Sequence, residues 1–149
     1  SVPYTTFTLT NGSPNEVLVQ FSDVTFEHNV RRGGEEGLEI LVDFDFYNYA
    51  DQEAFIAAYF YFDTANERPL RDFNDAFRSP NGNVAVGKEF SPGQDEAGYS
   101  DFTLFIPYDE LHLQVDEFYE LKFYIAIYTG DDLGQVFASD WVRFEAVGQ

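Results

Sequence analysis

Few residues in this chain have the types and spacing that chemistry requires. Two histidines occur, His28 and His112, and neither stands near a Gly-x-Ser-x-Gly elbow or another held nucleophile, so hydrolysis by a serine or cysteine mechanism has no foothold. Asp43 and Asp45 stand two apart on an alternating segment and project from one face, about 7 Å apart by strand rise. Paired carboxylates of that kind can serve as acid and base in glycoside hydrolysis; they are equally the outward residues of a solvated sheet. Acid-rich loops at Asp63, at Asp72 and Asp75, at Asp95-Glu96, and at Asp131 and Asp132 offer the several oxygens that calcium requires. None has EF-hand spacing, and acids are common in turns for conformational reasons alone. Calcium is therefore a candidate cofactor and no other is implied. Nothing here forms a catalytic set, and the expectation is a protein that is not an enzyme.

Aromatic and basic residues suggest binding instead. Tyr47, Tyr49, Tyr59, Tyr61, Tyr124 and Tyr128 fall on outward or end positions of predicted strands, where they would stack sugar rings, meet a neighbouring subunit or contact attached glycan. Five of the six arginines lie in two stretches, Arg31-Arg32 and Arg68, Arg71 and Arg78. They are candidates for a basic patch that meets an acidic surface on the next subunit, or they simply offset local acid. Asn11-Gly12-Ser13 is a glycosylation sequon, made a poor acceptor by Pro14.

Composition narrows the classes further. The 149 residues carry 8 Lys and Arg against 27 Asp and Glu, a net charge of −19, which disfavours nucleic acid and anionic membranes as partners. Cysteine is absent, removing disulfides and thiol chemistry. No methionine occurs, so something upstream of Ser1 is expected to have been removed, by excision from a longer polypeptide or, the preferred reading, by cleavage of a leader that sends the chain to the cell surface or the extracellular space. No apolar run reaches the roughly 18 residues of a membrane span.

The elements that would hold these residues are strands. Phe 17 and Tyr 10 dominate the alternating segments. Residues 37–63 read as a central hairpin: Leu38, Ile40, Val42, Phe44 and Phe46 point inward on one arm, and Ile56, Ala58, Phe60 and Phe62 on the other. Val17 to Phe26 predicts a strand with a bulge near Ser22, followed by a loop through Arg31–Gly37. Further strands are predicted near residues 84, 101, 119 and 136, with Gly87 marking an edge and Leu111 and Leu113 plugging a corner. Seven core strands at this spacing predict an all-β fold, a single antiparallel β-sandwich of Ig-like or Greek-key type over 16–149. Before it stand an extended strand over residues 1–10, with Tyr4, Thr5, Phe7 and Leu9, and a hinge over 11–15, Asn11-Gly12-Ser13-Pro14-Asn15.

Extended segment, hinge and Cys-free sandwich in this order resemble the subunits of bacterial extracellular, pilus-like fibres assembled by strand exchange. The resemblance implies that residues 3–10 complete the sheet of an adjacent copy, burying Phe7 and Leu9 and leaving Thr6 and Thr8 outside, so that the chain partners itself in a homopolymer. The runs 58–62, 81–87 and 102–108 also resemble a β-sandwich module of bacterial multidomain and surface proteins, over most of residues 16–145. Two other readings stand beside assembly: a carbohydrate-binding or calcium-dependent adhesion module, and an accessory domain of a larger secreted enzyme.

Overall fold

A computed structural model describes residues 18–47, 52–71, 82–94, 96–129 and 134–148. The predicted assembly strand (Tyr4, Thr5, Phe7, Leu9), the hinge 11–15, Tyr49, Arg78, and Asp72, Asp75, Asp95, Asp131 and Asp132 lie outside the described residues. Eight strands and one short 3-10 helix are described: β1 Leu18–Arg32, β2 Glu35–Tyr47, β3 Ala54–Phe62, β4 Ala85–Phe90, β5 Glu96–Pro107, the helix Tyr108–Leu111, β6 Phe118–Thr129, β7 Gly134–Ala138 and β8 Val142–Val147. They form two antiparallel sheets, β1-β2-β5 and β4-β3-β6-β7, with β8 also paired to β6.

The all-β expectation holds, and the facing pattern holds closely. Leu38, Ile40, Val42, Phe44 and Phe46 on β2, and Ile56, Ala58 and Phe60 on β3, are all buried. These arms do not pair with each other, however. β2 lies between β1 and β5, whereas β3 lies between β4 and β6 in the other sheet. The predicted hairpin 37–63 is instead a crossing from sheet to sheet.

The true hairpin is β1–β2. Arg31 pairs with Glu36 and Arg32 with Glu35, so the predicted Arg31–Gly37 loop contracts to Gly33-Gly34. Both glycines have positive φ, 58° and 83°, as a two-residue turn matched to strand twist requires. The bulge expected near Ser22 is present between Phe21 and Asp23, and a second lies between Glu27 and Val30, where Asn29 takes φ 60°.

The predicted last strand, 136–147, is two. β7 and β8 pair with opposite ends of β6, and Ser139 bridges the break: its N–H donates to the Ile125 carbonyl and its hydroxyl accepts the Ile125 N–H, both at 2.8 Å. No backbone group of Ile125 is left buried without a partner there.

Aromatic rings join the sheets across one core. On the β4–β5 side, Phe90 meets Phe44, Phe46, Tyr99 and Phe102 at 5.3–5.7 Å. On the β1–β7 side, Phe21 stacks on Phe137 at 4.6 Å. Leu111 is buried and Leu113 packs against the same core. At the start of β6 the Tyr119 hydroxyl accepts the Gln114 backbone N–H at 3.3 Å.

Candidate functional site

Two features stand out on this framework: a face of aromatic rings and an open cleft at a sheet edge. The face is the outward side of β3 and β6. Their register sets Phe55 beside Tyr128, Ala57 beside Ala126, Tyr59 beside Tyr124, and Tyr61 beside Lys122. The alanines leave room for the rings to lean inward. Tyr59 and Tyr128 close over them with their hydroxyls 2.7 Å apart, and Ala57 and Ala126 are buried beneath. Phe55 spreads the other way, over Gly87 of the edge strand β4, where any Cβ would strike its ring.

Trp141 completes the face, and the β7–β8 break delivers it there. Its ring lies 5.0 Å from Tyr61 and 5.4 Å from Tyr124, edge to face in both cases. Tyr124 in turn lies 5.3 Å from Tyr59 and 6.1 Å from Tyr61. Lys122 holds its ammonium 4.2 Å from the Trp141 centroid and donates to Glu67 at 2.6 Å. This cation is 4% exposed, so Glu67, Asp63 at 3.9 Å and the indole face replace the water it has lost.

Of the sequence candidates, Tyr59, Tyr61, Tyr124 and Tyr128 come together here. Tyr47 does not: it ends β2 in the opposite sheet, where its hydroxyl reaches Gln20 at 3.4 Å. Trp141, Phe55 and Lys122 belong to the site as well, although none is a candidate on sequence grounds. The alternation of β6 already places Lys122 beside Tyr124 and Tyr128, whereas Trp141 follows an irregular turn that no alternation reveals.

Burial shapes the chemistry of these phenols. It pushes the Tyr124 hydroxyl up to about 12, with Tyr61 and Tyr128 adding to the shift, and pushes Tyr59 further still, helped by its bond to Tyr128. Unfolded tyrosine ionises near pH 10. Above that pH the unfolded chain has released protons that the folded chain retains, so stability declines with rising pH. The contribution of Tyr124 is present below about pH 10 and is lost as pH rises through about 12. We expect tyrosinate absorbance of the folded protein to develop in two stages, with Tyr59 and Tyr124 titrating last and the stages merging in denaturant. A single stage would contradict this packing.

The cleft, of about 790 Å³, lies where β8 faces the later half of β1. β1 and β8 are each unpaired by any described strand along their outer edges. Phe144 bridges the gap by contact with Phe26 at 6.1 Å and with His28 at 6.2 Å. Tyr108 forms an inner corner, its hydroxyl accepting the Asn29 N–H at 2.8 Å and meeting His28 Nδ1 at 2.7 Å. Asp63, Glu120, Glu145 and Arg143 supply charge at the rim.

The remaining candidates have local roles. Asp43 accepts the N–H of Asp101, whose φ is 54°, at 2.7 Å, which fixes an irregular point on β5. Its partner in the candidate carboxylate pair, Asp45, lies opposite Gly98. Among the calcium candidates Asp63 and Glu96 are described: the Asp63 carboxylate faces Arg143 at 3.2 Å and Lys122 at 3.9 Å, and Glu96 opens β5 opposite Tyr47; among the described residues no three His, Asp or Glu side chains gather. Arg31 donates to the Gly34 carbonyl, Arg32 pairs with the buried Glu39, and Arg68 lies over Phe62. Arg71 makes a backbone bridge to Asn83.

Among the described residues no helix is long and apolar enough to cross a membrane. Compared with family models, curated proteins and solved structures, the chain matches none.

Proposed function

We propose that this chain is a non-catalytic β-sandwich module of Ig-like type that assembles outside the cell, each copy receiving residues 3–10 of a neighbour in the cleft between β1 and β8. Three features support the fold reading. The sheets share one aromatic core. With β7 and β8 counted as one broken strand, the order β1-β2-β5 against β4-β3-β6-β7/β8 corresponds to A-B-E against C′-C-F-G. The Tyr119–Gln114 bond resembles the tyrosine corner of such domains, at the start of the strand that would be F.

The cleft is the observation that carries the assembly reading. Two edges stand apart over an aromatic floor, and an added strand can pair with such an edge while alternate side chains enter pockets. An open edge otherwise invites uncontrolled pairing. The proposed occupant suits the rim, because residues 1–15 contain no charged side chain in a chain with 27 acids. Phe7 and Leu9 alternate as an inserted strand requires. A second copy is needed for reach. Folding back anywhere within 11–15 in one chain would set Phe7 against residue 23 and Leu9 against residue 21 at the furthest, short of the cleft wall at Phe26, His28 and Asn29.

A synthetic peptide of residues 3–10 tests this on a chain lacking residues 1–10. At about 100 times its dissociation constant it should add roughly 2.7 kcal/mol, a rise in melting temperature of about 5–10 °C for a domain of this size. The same peptide carrying Phe7→Asp and Leu9→Asp should do nothing. An unchanged melting curve with the parent peptide would remove the proposal.

A further inference from the structure

The rings on β3 and β6 lie outside the lining of the cleft, and the two features meet at the charged residues Asp63 and Arg143, so a binding role for the rings does not rest on the assembly reading. We infer that this face, closed by Trp141, is a stacking site for a neutral oligosaccharide.

Its dimensions and surface chemistry carry the inference. From Phe55 to Tyr61 is six residues of strand, about 20 Å, and the face is two to three strands wide at about 5 Å each, giving roughly 200–300 Å². A stable protein interface needs about 800 Å² on each side, so a second copy of this chain would find too little here. Several pyranose rings in a row fit that length. Among the described residues the large exposed apolar side chains stand apart from these rings: Phe118 shares the outward side of β6 but lies at its far end, opposite Val147 and beside Glu120 and Glu145, and Val115 precedes the strand. Here the rings are half-buried and already packed against one another.

Each tyrosine presents an apolar ring with a polar tip. A pyranose has the matching character, with C–H bonds on its faces and hydroxyls around its edge. Mostly aromatic walls with a few placed polar groups are the usual composition of small-ligand sites. Charge selects among sugars. The cations at the Trp141 end are already matched, Lys122 by Glu67 and Asp63, and Arg143 by Asp63. The chain as a whole carries −19. An anionic polysaccharide would meet repulsion without a spare cation at this end of the face, whereas a neutral one would not.

Trp141 is the chain's one tryptophan, so the emission of the unmodified 149-residue chain reports on this face directly. Titration with neutral hexasaccharides (cello-, manno-, xylo- and N-acetylchitohexaose) should give a saturable change with at least one of them, and oligogalacturonate should give none. Tyr61→Ala and Tyr124→Ala should each weaken that binding about tenfold, with the circular dichroism unchanged, and Tyr47→Ala should leave it as it was. Unchanged emission across the neutral set would overturn the inference. So would an equal response to oligogalacturonate, or an emission change on dilution alone, which would mean that a second copy covers the face.

Discussion

Replacing Phe123 by alanine is expected to remove about 3–5 kcal/mol of stability, which is a large share of the roughly 5–15 kcal/mol that holds a domain folded. Phe123 is fully buried on β6, the strand that pairs with β3, β7 and β8. Its ring meets Phe60 at 5.6 Å, Phe144 at 5.9 Å and Phe26 at 6.5 Å, and so joins three other strands drawn from both sheets. The void left by truncation cannot collapse easily, because each neighbour is itself a large ring fixed on a paired strand. One residue further on, Tyr124 points to the opposite face and is half-buried. Tyr124→Ala should cost about 0.5–1.5 kcal/mol, the value of its aromatic contacts. Urea midpoints at constant slope give the comparison, and equal losses for the two variants would mean that the facing of β6 is wrong.

That contrast also marks which features are legible in residue order. Alternation gives the face of a side chain, because a strand has a period of two, and it places Phe44, Phe60 and Phe123 inside and Tyr59, Tyr61 and Tyr124 outside without further information. It does not give the partner of a strand. Two arms with apolar residues turned the same way satisfy burial whether they lie side by side or face each other across the core, and β2 and β3 do the latter. The decisive local signal is the pair Gly33-Gly34 between Arg32 and Glu35, a two-residue turn that commits β1 to β2. Tyr47 shows the consequence. It shares the outward parity of Tyr59 but sits on the other sheet, so a face predicted from parity alone gathers a residue that does not belong. Trp141 escapes for the opposite reason: Ser139 and Asp140 interrupt the ladder before it. The cleft is a property of sheet order, and sheet order rests on contacts far apart in sequence.

The proposed assembly is most sensitive at two residues that contribute little to the isolated fold. Phe118 is 59% exposed and Val147 is 50% exposed, they stand opposite each other in the β6–β8 ladder, and both line the cleft. Changing exposed residues of this kind usually shifts stability by no more than about 0.5 kcal/mol each. An inserted strand would cover them. Full burial of such side chains contributes about 1.5–3 kcal/mol, so burial of what is now exposed adds roughly half of that at each. Phe118→Asp with Val147→Asp would forfeit both contributions and set two new carboxylates beside Glu120 and Glu145. At 1.4 kcal/mol per tenfold, the double variant should assemble about 10- to 100-fold less readily while melting within about 1 kcal/mol of the parent. Sedimentation velocity over a concentration series separates the two effects, with electron microscopy of the same samples to show whether fibres are present. A double variant that assembles at the parent's concentration would place the acceptor somewhere other than this cleft, and a variant that melts early would show that Phe118 and Val147 already support the unassembled fold.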